Sequence, residues 1–238
     1  MSILAAHGIE KLYHFFPLHY LPFIARDRVL KSKPELAKAG FRDDHNRSTS
    51  AHLDGERGFG HYVHLSTVAT PPILKAKLKA GFPHIGIEIA SDTLGDRSYD
   101  LCRFNIAKTR YLRRGEKPGS PETPANGRYY GKMEIPIART LEEKASMLTL
   151  RQSETMIEVL VPGSLPLTDH AKIRVYRKED CDEIKRIQEK VGSAWDMELQ
   201  STPRYVGDEK YIEKVSTFID KVLEDSEWLG DGLEFDRV

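Results

Sequence analysis

The chain is organised around Glu158-Val159-Leu160-Val161-Pro162-Gly163-Ser164. Val159, Leu160 and Val161 form a short apolar strand signal, and Pro162-Gly163 ends it. One carboxylate, Glu158, stands at the strand's mouth. An acid in that place is costly to bury unless it is paired or opens onto a cleft. A fixed strand-end carboxylate suits a site that stabilises a developing cation. The plain alternative is a solvated strand-start residue.

Outward from this stretch, short strand and helix signals alternate. Leu12–Phe16 reads as a strand with His14 among aromatics, where a histidine is either a satisfied core residue or a group facing a cleft. Leu18–Leu30 has helical spacing at Leu21, Ile24, Ala25 and Val29, with Pro17 and Pro22 near its start. Residues 31–60 read as a polar loop carrying Arg42, Arg47 and Arg57. His61–Thr67 alternates as a strand, and Pro71–Ala80 is a short helix with Ile73, Ala76 and Leu78 inward and Gly81 as its stop. His84–Ala90 alternates, with Ile85, Ile87 and Ile89 on one face and Glu88 on the solvent or cleft face. Thr140 and Glu143 make a capping box before a helix whose face is Leu141, Ala145 and Leu148. A further strand is expected at Lys172–Tyr176, and helices at Asp180–Val191 and after Asp208. Short strands scattered among helices predict an α+β fold rather than a doubly wound sheet.

Between these lies the most charge-biased window, 103–117, with Arg103, Lys108, Arg110, Arg113, Arg114 and Lys117 against the single acid Glu116. A Pro/Gly/Ser/Asn-rich loop over 118–131 follows, carrying Arg128, Tyr129 and Tyr130. Cations supply phosphate affinity and aromatic rings supply stacking on bases, unless the window is simply a solvated loop.

Composition sets the outer bounds. At 238 residues the chain has ample length for a core. Its net charge of zero argues for no partner overall, so any nucleic-acid surface must be a local patch. No apolar run approaches the roughly 18 residues of a membrane span. The first residues carry no secretory pattern, so no membrane contact and a cytoplasmic location are expected. Cys102 and Cys181 lack metal spacing, and there is no HExxH or paired CxxC, so no metal is expected. Neither GxGxxG nor a P-loop occurs.

Three stretches taken together resemble the ADP-ribosyltransferase superfamily, most closely the DarT family of nucleic-acid ADP-ribosyltransferase toxins. LYHFFPLHYLPFIARDRVLKSK (12–33) is similar to that family's opening strand and helix: His14 and Leu21-Pro22 match, while Phe16 and Tyr20 replace a threonine and an asparagine. GHYVHLSTVATPPIL (60–74) resembles its next strand and helix, with Tyr62-Val63 and Pro72 in register. IEVLVPGSLPL (157–167) is similar to the segment bearing its catalytic glutamate, and Glu158 takes that position. The resemblance spans roughly residues 8–176.

What this implies is a single ADP-ribosyltransferase-like domain over 1–238, with a catalytic core at 8–176 and a C-terminal helical extension at 177–238. The fold would be two small, packed, mostly antiparallel sheets flanked by helices. NAD would be the substrate, with Glu158 stabilising the oxocarbenium-like ribose. His14 would bind the dinucleotide ribose as a donor. Tyr62, Ser66 and Tyr20 would complete the dinucleotide site, and Arg47 would hold the pyrophosphate or the target base. The segment before the catalytic strand selects the target in this superfamily, which makes single-stranded DNA or RNA the acceptor, held by Arg110, Arg113, Arg114, Arg128, Tyr129 and Tyr130. An antitoxin or ADP-ribosyl hydrolase partner is implied too. Two alternatives stand beside this. The Val-His-Leu-Ser run at 63–66 also looks like the RNA 2′-phosphotransferases, NAD enzymes that do not need a glutamate at 158. The replacements at Phe16 and Tyr20 also fit a catalytically inactive nucleic-acid-binding module on the same fold.

Overall fold

The computed structural model describes residues 2–38, 58–103, 109–112, 129–132, 136–150, 156–201 and 207–224, with backbone alone for 109–112 and 129–132. Its strands are β1 (Lys11–Pro17), β2 (Val29–Lys31), β3 (Tyr62–Ser66), β4 (His84–Ala90), β5 (Asp100–Cys102), β6 (Thr109–Leu112), β7 (Tyr129–Lys132), β8 (Ile137–Ala138), β9 (Glu158–Pro162), β10 (Ser164–Pro166), β11 (Lys172–Val175) and β12 (Asp196–Leu199). Its helices are α1 (Ile3–Ala6), α2 (Leu21–Asp27), α3 (Lys33–Lys38), α4 (Pro72–Lys79), α5 (Leu141–Thr149), α6 (Asp180–Val191) and α7 (Glu209–Glu224). The α+β, mostly antiparallel class follows.

Eight strands join in the order β12-β11-β4-β1-β3-β9-β5-β8. The ladder is uneven. β1 and β4 pair along their whole length, from Lys11↔Ala90 to Pro17↔His84. β3 and β9 pair from Tyr62↔Pro162 to Ser66↔Glu158. Between these two halves, β1 and β3 share the single pair Tyr13↔Ser66. The two expected sheets are therefore not packed separately but are two four-stranded halves of one sheet, joined at a single pair beyond which the β1–β3 ladder stops and the strands splay.

A common apolar cluster carries both halves: Leu12, Leu21, Ile85, Ile87, Val159, Val161, Ile184 and Ile219 are all buried in it. Each such side chain removed from water contributes about 1.5–3 kcal/mol. α2 packs on α6 and α7, so residues beyond 176 share this core. Behind β1, Leu74 and Leu78 of α4 pack with Tyr176 and Phe15.

Several local expectations give way to the tertiary arrangement. The helix expected through Leu30 ends at Arg28, whose left-handed backbone (φ 53°) turns the chain so that Val29 enters β2. Arg28 holds this conformation with an ion pair to Asp169 and a guanidinium over the Trp195 ring. The start of the expected 31–60 loop contains β2 and α3. In α4 the Pro71-Pro72 start sets the phase, so Leu74 and Leu78 turn inward while Ile73 is 47% exposed. In α5 the capping box forms as read, but Leu141 is the first helical residue and is 72% exposed, and Lys144 turns inward over the Tyr99 ring. Glu88 is not on a wet face: β4 is an interior strand, and the carboxylate is buried between Lys11 and Arg174, 2.7 Å from each. The expected loop over 118–131 supplies β7, which pairs with β6 in register Tyr111↔Tyr130.

Candidate active site

β9 lies between β3 and β5, and this placement builds the site. Glu158 has Ser66 opposite it on one side and Cys102 on the other. Paired residues share a face, as do residues two apart along a strand, so Glu158 shares its face with Ser66, His64 and Tyr62. Gly163, in the left-handed region (φ 74°), turns the chain from β9 into β10. Pro162-Gly163 thus ends the strand as read, and Glu158 is the first residue at its opposite end.

A cleft of about 230 Å³ opens there, lined among others by His14, Tyr20, Tyr62, His64, Ser66 and Glu158. Glu158 is only 4% exposed. It is not a solvated strand start: its Oε1 lies 3.1 Å from Nδ1 of His64. The same ring's Nε2 lies 3.1 Å from the carbonyl oxygen of Phe59, which packs with Cys102 and Leu160.

His14 takes part in the splay itself. Its Nδ1 donates to the main-chain carbonyl of His64 at 2.9 Å, where a continued β1–β3 ladder would have run. The ring lines the cleft, and its burial pushes its pKa down to about 4 despite the hydrogen bond to the His64 carbonyl, which acts the other way. The neutral ring with Nδ1 protonated carries a lone pair on Nε2. His14 can therefore offer a hydroxyl an acceptor, in place of the donor that the resemblance implied.

The other candidates are placed unevenly. Tyr62 lines the cleft with its ring 4.9 Å from that of Phe59. Tyr20 lines it from the short turn before α2, edge-on to His19. Ser66 lines it too, but its hydroxyl donates to the carbonyl of Val68 and accepts from that residue's N–H, a local turn that occupies the donor. Arg47, Arg113, Arg114 and Arg128 lie outside the described residues. Arg110 lies in β6, and Tyr129 and Tyr130 in β7, a hairpin described by its backbone. The residue missed is His64. The alternation of HYVHLST placed it on one face with Tyr62 and Ser66, and that was the available signal. Among the described residues no group of three or more His, Cys, Asp or Glu side chains is placed to hold a metal. No described helix is long and apolar enough to cross a membrane.

No protein-family model matches the chain, and no curated protein matches it. Two solved structures of DarT from Thermus sp. 2.9 are similar to it. The one in complex with ADP-ribosylated ssDNA aligns with TM-score 0.52 and 15% identity, over 86% of this chain and 96% of that one. The one in complex with NAD+ aligns with TM-score 0.52 and 14% identity, over 80% of this chain and 95% of that one. At such identity the likeness speaks to architecture: the chain has the α+β, mostly antiparallel fold of the DarT ADP-ribosyltransferase.

Proposed function

We propose that this chain is an NAD-dependent ADP-ribosyltransferase that transfers ADP-ribose to a base of nucleic acid, with single-stranded DNA as the favoured acceptor, acting as a toxin or anti-phage effector. The observation that carries the reading is the buried Glu158 carboxylate on the same cleft as His14, where two sheet halves splay. In the reaction, the bond between ribose C1′ and the nicotinamide nitrogen breaks and its electron pair leaves with nicotinamide. The ribose then carries positive charge, which a fixed carboxylate in a water-poor site stabilises. A base nitrogen or oxygen attacks C1′, and its proton passes to Glu158 or to solvent.

The rest of the lining suits an anionic dinucleotide. Lys33 and Lys77 edge the cleft, where ammonium groups can neutralise a diphosphate, while Lys31 beside them is paired with Asp27. Tyr62 and Tyr20 supply aromatic faces, and neutral His14 supplies an acceptor for a ribose hydroxyl. Arg47 remains the proposed cation for the pyrophosphate or target base, and the window around Arg110, Arg113, Arg114, Arg128, Tyr129 and Tyr130 the proposed nucleic-acid contact. In this reading residues 8–176 form the catalytic core and 177–238 an extension of it. A cytoplasmic site of action and an antitoxin or hydrolase partner belong to the same proposal.

His64 in the Val-His-Leu-Ser run keeps the RNA 2′-phosphotransferase reading as the alternative, because that histidine does sit on the cleft. Labelled NAD incubated with separate pools of single-stranded DNA, RNA, 2′-phosphorylated RNA and protein distinguishes the two. Label on single-stranded DNA that is lost in Glu158→Gln supports transfer to a base. Removal of 2′-phosphate that survives Glu158→Gln supports the alternative. No nicotinamide release with any pool sinks both and leaves a binding module.

A further inference from the structure

We propose that His64 is the positioning residue of this site: its imidazole fixes the Glu158 carboxylate while its main-chain carbonyl fixes His14. The inference rests on the reading of Glu158 as the catalytic carboxylate.

Three contacts converge on one residue. The Nδ1 of His64 lies 3.1 Å from Oε1 of Glu158, its Nε2 lies 3.1 Å from the Phe59 carbonyl oxygen, and its own carbonyl accepts from His14 Nδ1 at 2.9 Å. With Glu158 ionised, as the proposed reaction requires, the carboxylate and the Phe59 carbonyl are both acceptors only, so both ring nitrogens donate and the ring is the doubly protonated imidazolium. The imidazolium and the carboxylate then form an ion pair that holds Oε1 in one place. The anchor on Phe59 gives the ring a second fixed point, so it cannot rotate away from Glu158. Phe59 itself packs on Cys102 and Leu160, the residues that neighbour Glu158 across and along the sheet.

The partners are long-range and built in. His64 stands opposite Leu160, so it reaches Glu158 diagonally across β3 and β9. The splay of β1 leaves its carbonyl to the ring of His14. A shift of β3 would therefore move both residues of the cleft together, while a change of the His64 side chain alone disturbs Glu158 and spares His14.

That asymmetry supplies the test. In His64→Asn the amide nitrogen falls near the place of Nδ1 and keeps a donor to Glu158. In His64→Gln it falls near the place of Nε2 and keeps the donor to Phe59 only. Nicotinamide release from NAD is measured for both with a single-stranded DNA pool, beside their melting temperatures. The expected result is a fall in kcat of at least about tenfold in His64→Gln with KM for NAD within about twofold, and recovery of most of that loss in His64→Asn. Equal kcat in the two variants, or a better His64→Gln, overturns the proposal, since the ring would then serve only to pin Phe59. A kcat loss that follows melting temperature alone overturns it too. Should wild-type protein release no nicotinamide, the functional reading fails by itself. The positioning is then decided by 1H–15N spectra of the His64 ring: two ring N–H groups in wild type, with one altered in Glu158→Gln, support it, and a single N–H in wild type refutes it.

Discussion

Replacing Glu158 by glutamine removes one charge and little else. The side chain keeps its length, and its carbonyl oxygen can still accept from His64 Nδ1, now 3.1 Å from Oε1. A carboxylate about 4 Å from the developing ribose cation, at an effective dielectric constant near 20, stabilises it by roughly 4 kcal/mol. At about 1.4 kcal/mol per factor of ten, that corresponds to a loss of roughly 10³ in turnover. Stability should fall too, but modestly, because glutamine removes one charge of a buried pair while keeping its hydrogen bond to His64. Alanine is the poorer probe. An acid open to solvent would tolerate it, but Glu158 is buried against His64, and alanine leaves that ring nitrogen without its acceptor at a cost of about 1–3 kcal/mol. The assay is release of nicotinamide from NAD in the presence of single-stranded DNA, read beside a thermal melt. If Glu158→Gln melts like wild type and keeps turnover within about tenfold, the charge is not what drives the reaction and the reasoning fails.

His14→Ala should weaken NAD binding, by calorimetry, more than it lowers the melting temperature; a large stability loss with unchanged affinity would make it a core residue. Its pKa, pushed down to about 4 from an ordinary 6.5, also predicts a pH effect. The unfolded chain takes up a proton that the folded ring refuses, so stability is present above about pH 6.5 and is lost as pH falls toward 4. The full shift corresponds to about 3 kcal/mol, reduced to roughly 1–2 by solvent in the cleft, and His14→Phe should flatten denaturant midpoints across that window. Gly81→Ala should destabilise by about 1–3 kcal/mol in urea titration, since φ is +86° and a Cβ would stand 2.7 Å from the Asp208 nitrogen; wild-type stability would mean that contact relaxes freely. Glu88→Ala should cost about 3–5 kcal/mol by leaving buried Arg174 with only the half-exposed Glu198 as its charge partner, and Glu88→Leu with Arg174→Leu should cost less than the single change; additivity in that double-mutant cycle would count against a coupled pair. Glutamine at Arg110, Arg113 and Arg114 should flatten the salt dependence of nucleic-acid binding while leaving NAD affinity alone, and Tyr129→Ala or Tyr130→Ala should each lose about 1–3 kcal/mol of binding if the ring stacks a base.

Much of the local structure is legible in the chain itself. The capping box at Thr140 and Glu143, the Asp208 cap and the stops at Gly163 and Gly192 appear where the residues place them. These signals need only neighbours within a turn or two, and their hydrogen bonds close locally. Periodicity fails where phase depends on what lies across the interface. Ile73 and Leu141 fit an apolar stripe, but α4 and α5 present Leu74 with Leu78 and Lys144 with Leu148 to the protein instead. Glu88 reads as polar and outward because alternation cannot tell a wet face from one where two cations close over a carboxylate.

The candidate site divides the same way. Glu158 and His14 could be marked as candidates from residue type and strand position alone, since an acid at a strand mouth and a histidine among aromatics each demand a reason. What those positions do could not be read from them, because the contacts run between distant parts of the chain. His14 meets the carbonyl of His64 across fifty residues, and the ring of His64 meets Glu158 across ninety-four. HYVHLST puts His64 on one face with Tyr62 and Ser66, but what that face meets emerges only when β9 is laid beside β3 with Ser66 opposite Glu158. The lone β1–β3 pair that opens the cleft is likewise a property of strand splay, and no residue of either strand encodes it alone. Tertiary structure therefore decided the protonation of His14, the partner of Glu158 and the cleft itself, because each depends on burial and register, which only long-range pairing sets.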